Sequence, residues 1–213
     1  MGQPVHELLL LLVVLTNFWA LGTSRLSATI RAVALQGVLL AGLPLALYPG
    51  FSAHQIGLAA GTLLVKAVIL PAFLLRAIRE AAVRREMEPL IGFTASMLLG
   101  AGALAIAFSI GPRLPLPEVE SEMLVPVALA TVVIGLLVLT TRRKAVSQVV
   151  GYLILENGIY VFGLSQVERV PFLVEAGVLL DIFVGVFIMG IVVFHINREF
   201  DSLDSARLTE LRE

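Results

Sequence analysis

The chain has 213 residues, of which 58% are hydrophobic and only 15% are charged. A soluble domain of this length has about one quarter of its residues charged, so the composition excludes an ordinary soluble globular protein. The formal net charge of −1 gives no sign of a nucleic-acid partner. The absence of cysteine excludes disulfides and thiolate metal sites.

Apolar runs recur along the whole chain, and each is long enough to cross a lipid bilayer as a helix. We therefore predict an all-α integral membrane protein with about seven transmembrane helices. The predicted spans are, in chain order, residues 6–23, 28–48, 55–75, 89–111, 124–140, 146–165 and 171–195.

Basic residues divide unequally between the predicted loops. The loops on one side contain only two basic residues, Arg113 and Arg169. The opposite loops and the C-terminal tail together contain Arg25, Arg31, Arg76, Arg79, Arg84, Arg85, Arg142, Arg143, Lys144, Arg198, Arg207 and Arg212. Because Lys and Arg accumulate in cytoplasmic loops, we predict that the N-terminus faces outside and the C-terminus faces the cytoplasm.

Three ionisable residues fall near the middle of predicted spans: Lys66 in span 3, Glu156 in span 6 and Asp181 in span 7. A Lys or Asp at the centre of a membrane helix costs roughly 2.5 to 3.5 kcal/mol on insertion. We therefore expect the three side chains to face other helices, another subunit or water. Burial favours the neutral form of an ionisable group and brings proton exchange within reach of neutral pH. A proton or ion relay is thus the favoured interpretation, and a structural ion pair between the lysine and either acid is the alternative.

Polar residues accompany the central glutamate on one helix face. Gln148, Tyr152, Glu156 and Tyr160 recur every four residues, so they form a stripe along span 6, with Asn157 beside it. We predict that these polar residues position water for the relay.

Other spans show related features. Gln36 lies near the middle of span 2, and Gly177 and Gly185 flank Asp181 at one-turn spacing, where they allow another helix to approach. In span 3, Pro71 removes a backbone hydrogen bond close to the lysine and is expected to disturb the helix there. Spans 1–3 and 5–7 have similar layouts, which raises the hypothesis of a parallel internal repeat.

Signatures of catalysis and cofactor binding are missing from the sequence. No His, Asp and Glu residues have metal-ligand spacing, the glycines form no phosphate-binding loop, and no serine–histidine–acid arrangement is present. We predict no catalytic site, no metal and no cofactor in this chain.

The second half of the chain resembles a known subunit type. From TTRRKAVSQVVGYLILENGIYVFGL to VEAGVLLDIFVGVFIMGIVVFHINREFDSLD, it is similar to the three-helix K subunit of respiratory complex I and to the C subunit of Mrp-type sodium/proton antiporters. In those subunits a basic loop precedes a helix with a central Glu, and the next helix carries a second acid with a Gly four residues later. Glu156 matches the first acid, and Asp181, followed by Gly185, matches the second, although complex I has Glu there.

The whole chain resembles the hydrogenase-4 component E family, through its length, Gln36, the segment from Lys66 to Pro71, GYLILENG and the LLD of span 7. The resemblance implies a membrane subunit of complex I-related assemblies, such as formate hydrogenlyase-type group 4 hydrogenases, in the prokaryotic cytoplasmic (inner) membrane. In these assemblies a soluble redox arm drives antiporter-like membrane subunits, and this subunit carries no cofactor. We accordingly divide the chain into an N-terminal membrane half, a three-helix unit like subunit K and a cytoplasmic tail, at residues 1–123, 124–196 and 197–213.

Three hypotheses follow from the sequence. In the first, a non-redox subunit contributes a relay of Glu156, Asp181 and Lys66 to proton or sodium translocation coupled to electron transfer. The supporting polar residues of this relay are Gln36, Gln148, Tyr152, Asn157 and Tyr160. The alternatives are a structural scaffold that joins antiporter-like subunits and a self-contained secondary transporter. The transported ion, the direction of transport and the acid that pairs with Lys66 stay open at this point.

Overall fold

The structure is a computed structural model that describes residues 5–48, 53–80, 89–116, 121–166, 180, 183–188 and 190. Every regular element within these ranges is helical. The elements are α1 (Val5–Gly22), α2 (Leu26–Leu47), α3 (Ala53–Thr62), a π-helical segment (Leu63–Ile69), α4 (Leu70–Glu80), α5 (Phe93–Ile110), a 3-10 turn (Gly111–Arg113), α6 (Leu124–Thr141) and α7 (Ala145–Ser165).

Six helical stretches of the described chain are long and apolar enough to cross a membrane. They are Val5–Gly22, Leu26–Leu47, Ala59–Arg79, Phe93–Arg113, Leu124–Thr141 and Ala145–Ser165. They confirm the all-α class and correspond to the first six predicted spans. The predicted seventh span, residues 171–195, lies largely outside the described residues, although 180, 183–188 and 190 within it are helical. The orientation, the internal repeat and the division at 123 and 196 stay predictions.

Four helices, α1, α2, α6 and α7, form the centre of the bundle. Each contributes to both buried apolar clusters, and α4 joins one of them. By contrast, only 17% of the stretch containing α5 is buried. A helix in lipid satisfies its backbone hydrogen bonds internally, so packing in the central four helices decides which side chains face one another.

Helices α6 and α7 approach most closely at glycines. A Cβ atom added to Gly135 of α6 would overlap the backbone of Leu155, and one added to Gly158 of α7 would lie 2.6 Å from the backbone nitrogen of Val132. Small residues permit such close helix contacts in membranes. The contact fixes the position of α7, which carries the central glutamate of the sequence analysis.

Replacement of Gly135 by alanine tests this contact. We expect Gly135→Ala to destabilise the protein by about 1 to 3 kcal/mol because the added methyl group overlaps a backbone that has no space to yield. Thermal unfolding in detergent measures the effect. Gly102→Ala on α5 is the matched control, since an added Cβ there meets no atom within 4 Å. Equal melting temperatures for the two variants would contradict the packing described.

Candidate functional site

Lys66 and Glu156 form a buried ion pair, in which Lys66 Nζ contacts Glu156 Oε2. The side chains are 4% and 1% exposed, and the residues are 90 positions apart in the chain. Pairing offsets part of the large cost of burying each charge. The structure thus selects Glu156 as a partner of Lys66, a choice that the sequence left open. Asp181 lies outside the described residues, and its role stays a prediction.

Lys66 lies at the centre of the π-helical segment. The N–H of Leu70 donates to the carbonyl of Val65, five residues earlier, which is the π-helical register. Pro71 follows directly and has no N–H with which to extend this register. The disturbance expected near the lysine is therefore a locally widened helix, a feature found frequently at functional sites.

Helix α2 lies against the backbone of Lys66. A Cβ atom added to Gly37 would lie 2.8 Å from the carbonyl carbon of Lys66. Glycine is thus required at position 37 for the two helices to touch. Since Gln36 is the adjacent residue, this contact also sets its position relative to the lysine-bearing helix.

Gln36 is the centre of a buried hydrogen-bond chain that joins four helices. Asn157 Nδ2 of α7 donates to Gln36 Oε1 at 2.8 Å, and Gln36 Nε2 donates to Asn17 Oδ1 of α1 at 2.8 Å. Asn17 Nδ2 then donates to Thr131 Oγ1 of α6 at 2.9 Å. All four side chains are buried. Buried amides are costly unless they are hydrogen-bonded, and here each amide is bonded to the next.

The carbonyl of Val13 fixes the direction of this chain. Gln36 Nε2 lies 3.5 Å from the Val13 oxygen and 3.2 Å from Thr16 Oγ1, whose hydroxyl donates to the same carbonyl at 2.7 Å. A carbonyl oxygen only accepts hydrogen bonds, so the nitrogen of the Gln36 amide must face α1. Every donor in the chain consequently points from α7 through α2 and α1 to α6.

The tyrosines of the predicted stripe have different surroundings. Tyr160 is buried, and its ring centroid lies 5.9 Å from Lys66 Nζ, within cation–π range. Tyr152 is half-buried and packs against the apolar cluster to which α1, α2, α4, α6 and α7 contribute. The structure therefore brings Tyr160 to the ion pair and places Tyr152 one turn of helix away from Glu156.

Gln148 lies at the end of the stripe, at the turn between α6 and α7. It is exposed, and its Nε2 donates to the carbonyl of Arg142 at 3.1 Å. Eight residues separate it from Glu156, which is about 12 Å along a helix axis. Gln148 thus does not belong to the cluster around the ion pair.

Sequence reasoning missed several buried polar residues of the described chain, among them Asn17, Thr131 and Arg142. Asn17 is a lone amide in an apolar span, and this isolation could have indicated a buried polar contact. Thr131 gave no signal, because a hydroxyl in a membrane helix is commonly satisfied by its own helix. Arg142, predicted to be a loop residue, is only 4% exposed. Its Nη2 donates to the Leu21 carbonyl at 3.1 Å, and its guanidinium carbon lies 4.5 Å from the ring centroid of Phe93.

Within the part of the chain that the structure describes, no group of three or more His, Cys, Asp or Glu side chains is arranged to hold a metal ion. The described cluster therefore consists of one ion pair, one tyrosine and a chain of amides and hydroxyls. These groups donate and accept hydrogen bonds, and two of them carry opposite charges.

Comparison with known proteins finds several with similar sequences. It is 38% identical to the uncharacterized protein Rv0085 of Mycobacterium tuberculosis over 193 residues, which are 88% of this chain and 87% of that protein. The chain belongs to the same family as that protein. It is also 28% identical to hydrogenase-4 component E of Escherichia coli K12 and of Shigella flexneri, over 99% of both chains.

The full-length similarity supports a distant relation to hydrogenase-4 component E. Together with the six apolar helices, it indicates a multi-pass membrane protein. No family model and no solved structure matches the chain.

Removal of one charge tests the ion pair. We expect Lys66→Met to destabilise the protein by about 3 to 5 kcal/mol, because it leaves a buried carboxylate without its cation. The double variant Lys66→Met/Glu156→Gln removes both charges and should recover most of this loss. Thermal unfolding in detergent measures both.

The matched control is Arg113→Met, which removes an exposed cation and should be nearly neutral. A double variant as unstable as Lys66→Met would show that the two charges do not depend on each other.

Proposed function

We propose that this protein is a non-redox membrane subunit of a complex I-like, hydrogenase-type complex, and that its buried ion pair forms part of a relay for proton translocation. The full-length similarity to hydrogenase-4 component E supports the assignment to such a complex. The observation that carries the relay is the contact between Lys66 and Glu156 within a helix bundle.

An ion pair in this environment has two protonation arrangements of equal net charge. The lysine proton either stays on nitrogen or transfers to the carboxylate, and the neutral arrangement avoids the cost of burying two charges. Electrostatic interactions are stronger in a low-dielectric interior than in water. A charge change in a neighbouring subunit therefore shifts the balance between the two arrangements. Translocation is completed when the neutral lysine takes up a proton from one side and the protonated Glu156 releases its proton to the other.

Residues around the pair have distinct parts in this proposal. The Tyr160 ring stabilises the ammonium of Lys66 through its π face. Tyr152 and Gln148 continue along α7 toward the α6–α7 turn, where they position water between that turn and the pair. Asp181 is the second relay carboxylate, on the strength of its place in span 7 and of the resemblance to complex I subunit K.

A proton suits this site better than a sodium ion. Sodium binding requires oxygen ligands, and the Lys66 ammonium already occupies an oxygen of Glu156. A sodium ion at Glu156 would lie beside the positive charge of that ammonium, which repels it. We propose protons as the transported ion for this reason.

The remaining parts of the proposal come from the sequence and its relatives. The partners are antiporter-like membrane subunits and a soluble redox arm, as in formate hydrogenlyase-type complexes. The membrane is the prokaryotic cytoplasmic membrane, with the N-terminus outside. This orientation places the α6–α7 turn, with Arg142, Arg143 and Lys144, on the cytoplasmic side.

A structural scaffold is the second candidate function. The observation that favours it is the same pair together with the amide chain, since both join helices that are distant in sequence. Buried ionic groups are retained in some proteins for specific assembly and not for chemistry. Assembly and translocation must therefore be measured separately.

Replacement of Glu156 by glutamine in the reconstituted complex separates the two functions. We expect redox turnover to continue while proton translocation per electron is lost, because an amide cannot accept the lysine proton. Proton movement into vesicles, followed alongside turnover, measures this ratio. The matched control is Glu122→Gln, which alters an exposed carboxylate before α6 and should leave the ratio unchanged.

Normal translocation in a normally assembled Glu156→Gln complex would refute the relay. If that variant fails to assemble, the double variant Lys66→Met/Glu156→Gln, which has neither charge, distinguishes the relay from the scaffold. Assembly with normal translocation then supports the scaffold, and assembly without translocation supports the relay.

A further inference from the structure

We propose that Asn17 and Thr131 are positioning residues for the buried ion pair, and that they act through Gln36 and Asn157. This inference rests on the relay function proposed above. Neither residue contacts the ion pair in any described hydrogen bond, and both belong to helices, α1 and α6, that contribute no charge to it.

The first step is the link between the amide chain and the ion pair. Gln36 is adjacent to Gly37, which lies against the backbone of Lys66. Asn157 is adjacent to Glu156 on α7. The 2.8 Å hydrogen bond between Gln36 and Asn157 therefore ties α2, which abuts the lysine-bearing segment, to the helix that carries the glutamate. Together with the contact of Gly37 with Lys66, this bond helps to set the separation of the two backbones from which the paired side chains extend.

The second step is the dependence of that bond on α1 and α6. Asn17 accepts from Gln36 with Oδ1, so its Nδ2 faces α6 and requires an acceptor, which is Thr131 Oγ1. Without that oxygen a buried N–H group loses its partner at a substantial cost. If the Asn17 amide turned over to find another acceptor, its nitrogen would face the nitrogen of Gln36. A change at Thr131 is thus passed to Gln36.

The third step is that Gln36 cannot adapt by turning over. Its nitrogen is directed at α1 by the Val13 carbonyl, which only accepts. We infer that the chain responds by a change in the spacing of α1, α2 and α7. Hydrogen bonds aligned in one direction also strengthen one another, so loss of the last bond weakens the one between Gln36 and Asn157.

The fourth step is the effect on proton exchange. The interaction of two charges falls with their separation, and most steeply at short range and low dielectric. Proton transfer likewise requires the donor and acceptor atoms to be within hydrogen-bond distance. A small change in the spacing of α2 and α7 therefore alters how readily the Lys66 proton reaches Glu156.

Valine at position 131 is the decisive variant, because it preserves the shape of threonine and removes only the hydroxyl. We expect Thr131→Val to lower the number of protons translocated per electron by between about twofold and thirtyfold, the range for residues that act through a network. We also expect it to shift the infrared carboxyl or carboxylate band of Glu156, which is identified by its loss in Glu156→Gln. Thr131→Ser restores the hydroxyl and should restore both readouts.

The control is Thr140→Val on the same helix, since Thr140 is exposed and donates to the Leu136 carbonyl of its own helix. Both readouts are taken per assembled complex, so a reduced yield does not affect the result. A Thr131→Val complex with the wild-type ratio and an unshifted band would overturn the inference. A wild-type ratio in Glu156→Gln would refute the relay itself, and the band of Glu156 in Thr131→Val would still decide whether Thr131 positions it.

Discussion

Lys66 and Glu156 are buried charges, almost completely removed from solvent, and they pair with each other. The free-energy cost of such a charge is several kcal/mol, so the elements that carry the two residues must be held in register. The π-helical segment presents the lysine, and Gly37 lets α2 reach the lysine backbone. Close packing of α6 on α7 at Gly135 fixes the helix that presents the glutamate. The need to keep Lys66 and Glu156 in contact therefore constrains how the central helices pack.

The amide chain limits the rotation of the helices about their axes. Apolar helices in lipid have no strong preference for one rotation about their axes, because lipid tails are as apolar as leucine. A chain of hydrogen bonds with one permitted direction removes this freedom, since each amide must face the next. Asn17, Gln36, Asn157 and Thr131 thereby set the rotations of α1, α2, α7 and α6 together. The same bonds that specify the bundle also adjust the site where we propose that protons move.

Function in this chain is argued from its site, because a bundle of apolar helices serves scaffolds, channels and pumps alike. The similarity to hydrogenase-4 component E extends over nearly the whole chain and supports membership of a multisubunit membrane complex. The large exposed face of α5 is consistent with lipid or with a neighbouring subunit. A relay differs from a scaffold in that the proton on Lys66 moves. The variants Glu156→Gln and Lys66→Met/Glu156→Gln test this difference through proton translocation.

By itself, the sequence determined the helical class, the approximate limits of six spans and the unusual positions of Lys66 and Glu156. These depend on the transfer of a local segment into lipid, which is independent of what the segment packs against. The tertiary structure alone decided that the two charges meet and that Asn17 and Thr131 belong to the polar chain. Contacts between residues 90 or more positions apart depend on helix rotation and spacing. Those are set by glycine contacts and directional hydrogen bonds that no single segment contains.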